Sequence, residues 1–366
     1  MSSIYGENLK LSIFGQSHGP AIGMTLDGIP AGLPVSEEIL QLFLARRAPG
    51  NNRWSTTRKE ADKPVFLSGI VDGYTCGAPI TAVIHNQNAQ SQAYRQVQDC
   101  PRPGHADYTA DVKYGGYQDA SGGGHFSGRL TAPLCIAGGL CLQWLEQMGI
   151  RVGAHIAQIG PHQDLSFDPL APQLAQVRSA FPTLSEDAAL SMQNFIAETK
   201  AAGDSIGGAI ECAVTGLPAG IGEPIFGGVE SRIAQIIYGI PSVKALSFGL
   251  GEACKTAYGS RCNDPFCWKN GEVMLRSNNC GGILGGITAG SPVLFSVTVK
   301  PTPSIAKMQD TVNLSTGAPA TISVTGRHDP CIVPRAVPVV EAAAAIAVYD
   351  MILGNTQCTR RKPSWI

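Results

Sequence analysis

The sequence has 366 residues, of which 44% are hydrophobic and only 15% charged. Its 27 Lys and Arg against 28 Asp and Glu leave a formal charge of −1, which argues against a globally basic nucleic-acid binder. A chain of this length buries about three quarters of its unfolded surface, so it needs no disulfide or metal staple.

Taken in chain order, Met1–Lys10 shows neither a basic n-region nor an apolar h-region, so no secretory signal is read there. Ala21–Gly28 reads as a strand. Ser36 is placed to cap a helix carrying Glu37 and Glu38 in its first turn and ending before Pro49-Gly50. Pro64–Val71 and Pro79–Ile84 read as further strands, bounded by Gly and Pro turn signals. Thr131–Met148 is apolar on nearly every face and stops at Gly149, which predicts a core helix. The longest strongly apolar stretch, Leu130–Leu145, is too short for a membrane span. Pro161–Pro182 is the nearest thing to a junction, but it is too apolar for a free tether. Ser185 caps a helix running to about Ala202, where Gly203 ends it, and Gly207–Thr215 and Pro292–Val299 are strands. The uncharged run Ser277–Val299 contains Asn278, Asn279 and several glycines, which excludes a lipid-facing helix. Pro338–Ile352 carries an alanine run fit for close helix packing. The whole predicts one integrated α+β domain over residues 1–366. Eleven cysteines, an odd number with no CxxC pair, predict buried free thiols and a cytoplasmic protein without membrane attachment.

No P-loop or dinucleotide fingerprint is present. Gly281–Gly286 lies between an Asn pair and a strand, where glycines let a backbone approach a flat or anionic ligand or simply form a tight turn. Three polar, Gly/Pro-fixed turns carry histidines: Phe14-Gly-Gln-Ser-His18-Gly, Arg102-Pro-Gly-His105-Ala-Asp107 and Gly326-Arg327-His328-Asp329-Pro330. A lone turn histidine is usually a surface group, whereas three of them point to a shared acid–base site, because imidazole titrates near neutral pH. Arg46, Arg47, Arg53 and Arg58, broken by Pro49-Gly50, make poor helix surface but good forks for phosphate and carboxylate. Ser121–Arg129 delivers another arginine to the start of the apolar helix, whose N-terminus itself favours an anion. The residues therefore predict an enzyme that handles a small polyanion with histidine acid–base groups.

The segments, in their order, resemble chorismate synthase from about Lys10 to Asp350. The strings are Gly15-Gln-Ser-His-Gly19, Arg46-Arg-Ala-Pro-Gly50 with Thr57-Arg58-x-Glu60-x-Asp62, Arg102-Pro-Gly-His-Ala-Asp107, and Gly122-Gly-Gly124 with Ser127-x-Arg129. Further on come Gly203-Asp-Ser-Ile-Gly-Gly208, Gly220-Ile-Gly-Glu-Pro224, Ser277-Asn-Asn-x-Gly-Gly-Ile-Leu-Gly-Gly286, Lys300-Pro-Thr-x-Ser-Ile305 and Gly326-Arg-His-Asp-Pro330. The resemblance implies a β-α-β sandwich with helices enclosed between sheets, and the last step of the shikimate pathway. In that step 5-enolpyruvylshikimate 3-phosphate loses phosphate and a C6 hydrogen by anti-1,4 elimination, giving chorismate in a redox-neutral reaction that requires reduced FMN.

By the same resemblance His18 protonates the leaving phosphate, His105 acts on the reduced flavin, and Asp329 helps to remove the C6 proton through flavin N5. Ser17, Arg47, Arg53, Arg102, Arg129 and Arg327 grip the anionic substrate. His125, Phe126, Ser127, Gly285, Lys300, Pro301, Thr302, Pro303 and Ser304 hold the flavin, with Arg327 touching both ligands. No metal is implied. The family is typically a homotetramer. NADPH is expected to enter only through an external flavin reductase, since the chain has no insertion for reducing its own flavin. The chain departs from the family's strings at Gln16, where an acid is usual, at Pro303, where serine is common, and at His125, Phe126, Gly128 and Leu130 in a loop that usually reads Gly-Gly-Gly-Arg-Ser-Ser-Ala-Arg-Glu-Thr. Two other readings are a flavin oxidoreductase, which lacks a visible nicotinamide site, and a polyanion- or RNA-binding protein using Arg46–Arg58. Near-zero net charge and 7% aromatics speak against the latter.

Overall fold

The structure is a computed structural model describing residues 3–48, 62–86, 99–178, 180–269, 271–324 and 328–355. Two antiparallel five-stranded sheets dominate it. The first contains β1 (Ile4–Tyr5), β2 (Lys10–Gly15), β3 (Ala21–Asp27), β4 (Val65–Ser68) and β5 (Ile80–His85), in the order β1-β2-β3-β5-β4. The second contains β6 (Arg151–Ile159), β7 (His162–Gln163), β8 (Gly208–Thr215), β9 (Val243–Phe248) and β10 (Val293–Val299), in the order β9-β10-β8-β6-β7. With its helices this is an α+β protein. Alternation along β3 turns Ile22, Met24 and Leu26 inward, and the register sets them opposite Ile84, Ala82 and Ile80.

The helices are α1 (Glu37–Arg47), α2 (Asp107–Tyr114), α3 (Thr131–Gln147), α4 (Glu186–Ala201), α5 (Val229–Ile237) and α6 (Val333–Gly354). The expected caps form: Ser36 Oγ accepts the Ile39 amide at 3.2 Å, and Ser185 Oγ accepts the Ala188 amide at 3.3 Å. α3 packs on β2, β3 and β5, α6 packs on β6 and β8, and the two helices pack on each other. They approach closely because Gly138 lacks a side chain: a Cβ there would lie 2.3 Å from that of Ala342. Two carboxylates buried on α6 are fully used. Glu341 takes a fork from Arg46 at 2.6 and 2.9 Å, together with the Ala154 amide at 3.0 Å. Asp350 accepts the amides of Glu7, Asn8 and Leu9, the shortest of these bonds being 2.7 Å from Asn8.

Three expectations need correction. The strand expected over Pro64–Val71 breaks at Gly69, whose left-handed backbone lies so close to Ile80 that a Cβ would meet its Cα at 2.5 Å. β4 therefore ends at Ser68, and Ile70–Val71 turns away to pair with Tyr74–Thr75. The last helix begins at Val333 rather than Pro338. Pro334 sits in its first turn, where no amide donor is needed, and the helix runs straight through Pro338. Burial of the cysteines is only partial, with Cys135, Cys141, Cys212 and Cys331 buried but Cys76 and Cys254 exposed. Burial pushes the Cys135 and Cys331 thiols up to about 12.

The Pro161–Pro182 stretch is tied to the second sheet through an ion cluster. His155 on β6 is fully buried, with Nδ1 3.1 Å from Asp164 and Nε2 2.9 Å from Glu211. Ionised carboxylates only accept, so both ring nitrogens donate and the imidazole is charged. Burial alone pushes its pKa down, but the two carboxylates outweigh that and raise it. A raised folded value means that the stabilisation is complete below the ordinary histidine value of about 6.5 and is lost as pH rises through the folded value. The melting temperature of the wild type is expected to fall over that alkaline interval while that of His155→Gln stays flatter. Parallel profiles measured by calorimetry would refute the assignment.

Candidate active site

A cleft of about 590 Å³ opens where both sheets and the N-termini of α3 and α6 meet. The connection after β2 supplies Ser17 and His18, and the last turn of α1 supplies Arg47. The turn before α2 brings Arg102 and His105, the loop before α3 brings His125, Phe126, Ser127 and Arg129, and the chain after β10 brings Lys300, Thr302, Pro303 and Ser304. Asp329 enters just before α6. Helix N-termini and converging guanidinium groups make such a space suited to anions.

The three consecutive glycines explain how two histidines share the cleft. Gly122, Gly123 and Gly124 all have left-handed φ values, of 61°, 82° and 51°. A Cβ on Gly122 would sit 2.1 Å from the His18 ring, and one on Gly123 would sit 3.0 Å from the His105 ring. The Gly124 carbonyl accepts the Ser17 amide at 3.1 Å, which ties this loop to the His18 turn. Gly122→Ala is expected to displace His18 and lower turnover at least about tenfold. Gly32→Ala serves as a control, with φ of 87° and nothing within 4 Å of the added Cβ. If the two variants lose stability and activity in parallel, backbone strain rather than the histidine contact is responsible.

Carboxylates behind the cleft hold the arginines in place. Asp62, buried between two guanidinium groups, receives Arg47 Nη1 at 2.5 Å and also Arg129 Nη1. Arg47 donates further to Thr131 Oγ and the Gly128 carbonyl, both at 3.0 Å. Burial opposes ionisation of Asp62, but Arg47 and Arg129 together hold its pKa below the usual carboxylate range. Asp107 takes Arg102 by two parallel bonds of 2.7 Å and lies 2.6 Å from His105 Nδ1. Its carboxyl is held well below the ordinary range by Arg102 and His105 despite burial. Arg102 also donates to Ser304 Oγ at 3.1 Å, which joins the second turn to the loop after β10. Lys300 donates to the Gly104 carbonyl, and burial together with nearby Lys244 pushes its pKa down. His328 is lowered as well, by burial and then by Arg102.

Most residues singled out in the sequence thus converge on one cleft. Gly285 does not line it: it occupies the turn between Ile283–Leu284 and Ile287–Thr288, where its missing Cβ faces open space. Pro301 is likewise off the lining, since Lys300 and Thr302 on either side of it face inward. Arg53 and Arg327 lie outside the described residues, as do Arg58 and Glu60. His125 reaches the cleft but uses both ring nitrogens elsewhere, at 2.9 Å from the Gly15 carbonyl and 2.9 Å from Ser3 Oγ, so it also anchors the glycine loop to β2. The sequence reading gave no role to Asp62, Asp107 or Arg335, nor to Tyr238–Lys244, a segment that forms one wall. The two aspartates stood within quoted strings, and Arg335 is a charged residue in an otherwise apolar stretch; these were the available signals.

Comparison with known proteins agrees with this geometry. The family profile described as chorismate synthase matches residues 9–353. A chorismate synthase of Korarchaeum cryptofilum is 43% identical over 350 residues, covering 96% of this chain and 97% of its own. One of Lancefieldella parvula is 42% identical and covers 96% of each chain. A crystal structure of chorismate synthase superposes with a TM-score of 0.76 at 27% identity, covering 95% of this chain and 93% of its own. Similarity of that extent, spanning every strand and helix that builds the cleft, places the chain in the chorismate synthase family.

Proposed function

We propose that this cleft converts 5-enolpyruvylshikimate 3-phosphate to chorismate and phosphate, with reduced FMN as the flavin. The observation carrying the assignment is that His18, His105 and Asp329 share one cleft with Arg47, Arg102 and Arg129. The family's lyase activity on a small anionic substrate sets the reaction class, and the residues of this chain supply its parts. Breaking the C3–O bond leaves phosphate, whose developing charge needs a proton donor, and His18 beside the Gly122 turn is assigned that role. Asp329 is assigned to help remove the proton lost from C6 and to take it up at the end, so the new C=C bond forms with no net oxidation. Arg47, Arg102 and Arg129, with Ser17, take up the substrate's phosphate and carboxylates, and Arg53 and Arg327 are assigned to the same grip.

The residues present fit a flavin. The Thr302 hydroxyl lines the cleft and is buried without a hydrogen-bond partner among the described residues. His105, Phe126, Ser127 and Lys300–Ser304 are the residues assigned to hold it, and Gly285 joins them only if its loop meets the ligand from outside the cleft. When bound, reduced FMN would supply electron density for the loss of phosphate. Reduction by a separate NADPH-dependent enzyme, a cytoplasmic location and a homotetramer complete the reading. Exposed Phe226 and Trp268 support the assembly, since they offer apolar surface for contact between copies. α3 against the first sheet and α6 against the second support a single-domain β-α-β sandwich.

The test is anaerobic. The protein is mixed with 5-enolpyruvylshikimate 3-phosphate and chemically reduced FMN, and chorismate absorbance is followed with phosphate release. Equal amounts of both products, over many turnovers per flavin and with no net flavin oxidation, are expected. Product with oxidised FMN and NADPH alone would replace the external reductase by an intrinsic one. No product from folded, FMN-binding protein would sink the assignment.

A further inference from the structure

α6 carries three charged side chains into the protein, and two of them have structural partners already described. Glu341 is neutralised by Arg46, and Asp350 is saturated by three amides. The third, Arg335, stands in the first turn and faces the cleft. Its Nη1 donates to Asp329 Oδ2, and its Nε donates to the main-chain carbonyl of Arg47 at 3.0 Å. Arg47 is in turn fixed by Asp62, Thr131 and the Gly128 carbonyl. A continuous chain of bonds therefore runs from Arg129 through Asp62 and Arg47 to Arg335 and ends on Asp329. Its root is rigid, because α6 is buried along nearly its whole length.

A guanidinium is suited to this position. Its donors point in fixed directions in one plane, so holding a carboxylate with one arm and a carbonyl with another sets the distance between the two acceptors. Asp329 belongs to the turn entering α6, and Arg47 belongs to the end of α1. Burial of Arg335 opposes its charge and lowers its pKa, and the Asp329 carboxylate offsets only part of that cost.

We propose that Arg335 is a positioning residue for proton removal: it orients the Asp329 carboxylate and holds it in register with the anion-gripping Arg47. The role rests on the reading of Asp329 as the proton acceptor. Arg335 thereby acts on the rate of the chemical step rather than on the affinity for substrate.

The test is a cycle of Arg335→Met, Asp329→Asn and the double variant, with Arg335→Lys alongside, all assayed anaerobically with reduced FMN. Arg335→Met is expected to lower kcat about a hundredfold while KM for the substrate changes less than about threefold. Arg335→Lys keeps the charge but reaches only one of the two acceptors, so it should recover part of the loss and remain folded if the Met variant does not. In the Asp329→Asn background the same Met substitution should cost less than about threefold, because the residue it acts through is already disabled. Losses that multiply in full would overturn the role, as would a KM increase that accounts for the whole effect, which would make Arg335 a substrate-binding residue. Wild-type protein that makes no chorismate removes the reaction and this role together. Active wild type with near-normal Arg335→Met and Arg335→Lys removes the role alone.

Discussion

Replacing His18 or His105 by alanine is expected to lower turnover by about 10²- to 10⁴-fold while leaving the protein folded. The two losses have different origins. His18 lies against the left-handed Gly122 turn and is proposed to protonate the departing phosphate, so His18→Ala should hurt least with a substrate analogue whose leaving group needs no proton. His105 is locked between Arg102 and Asp107, with Nδ1 2.6 Å from an acceptor-only carboxylate, and its Nε2 faces the Gly123 backbone. That arrangement fixes one tautomer, with the proton on Nδ1. His105→Ala also frees Arg102 from the ring it contacts at 3.1 and 3.2 Å, so a modest rise in KM should accompany the fall in kcat. Rapid-quench assays at saturating reduced FMN separate the two. Near-normal rates in both variants would remove histidine acid–base chemistry from the cleft.

Asp62→Ala is expected to cost about 3–5 kcal/mol of stability, because it leaves the buried guanidinium groups of Arg47 and Arg129 without their shared carboxylate. The folded pKa of Asp62 is depressed, so its contribution is present above the ordinary carboxylate value of about 3.9 and disappears as pH falls through the depressed one. A further result distinguishes an electrostatic loss from a packing defect. Inorganic phosphate should raise the melting temperature of Asp62→Ala more than that of the wild type, since an anion in the cleft substitutes for the missing charge. Equal stabilisation of both proteins by phosphate would make the Asp62 effect one of shape. Asp62→Asn, which keeps the shape and loses the charge, should fall between them only if hydrogen bonding contributes as well.

Much of this was legible because local rules governed it. Ser36 and Ser185 announced their helices through the residues that follow them, and β3, β5, β8 and β10 lay between Gly and Pro punctuation. The histidine turns and the glycine triplet could be singled out because few structures other than a fixed turn suit them. What escaped was non-local. The break at Gly69 is dictated by Ile80 on a neighbouring strand, and no property of Pro64–Val71 contains it. The start of α6 at Val333 depends on two prolines being tolerated by a helix that the core holds in place. β6 begins with Arg151-Val-Gly and carries a histidine, so its pattern does not read as a strand until Glu211 and Asp164 are seen to neutralise that histidine. Asp62, Asp107 and Arg335 are ordinary charged residues in sequence, and their importance comes from partners brought together by folding.

The Asp350 carboxylate has a consequence for how the protein is made. The turn between β1 and β2 closes by donating three amides to a side chain 341 to 343 positions further along. Synthesis proceeds from the N-terminus, so these amides leave the ribosome long before their acceptor exists. The second sheet also lacks the closing layer of α6 until Val333–Gly354 has been translated. Pairings of such long sequence separation are slow to form. Until Asp350 emerges, the nascent chain presents an unfinished sheet edge and an uncovered apolar face, the surfaces that chaperones bind and that drive misassembly. Completing the core and the β1–β2 turn therefore requires α6, which is synthesised long after the elements it closes.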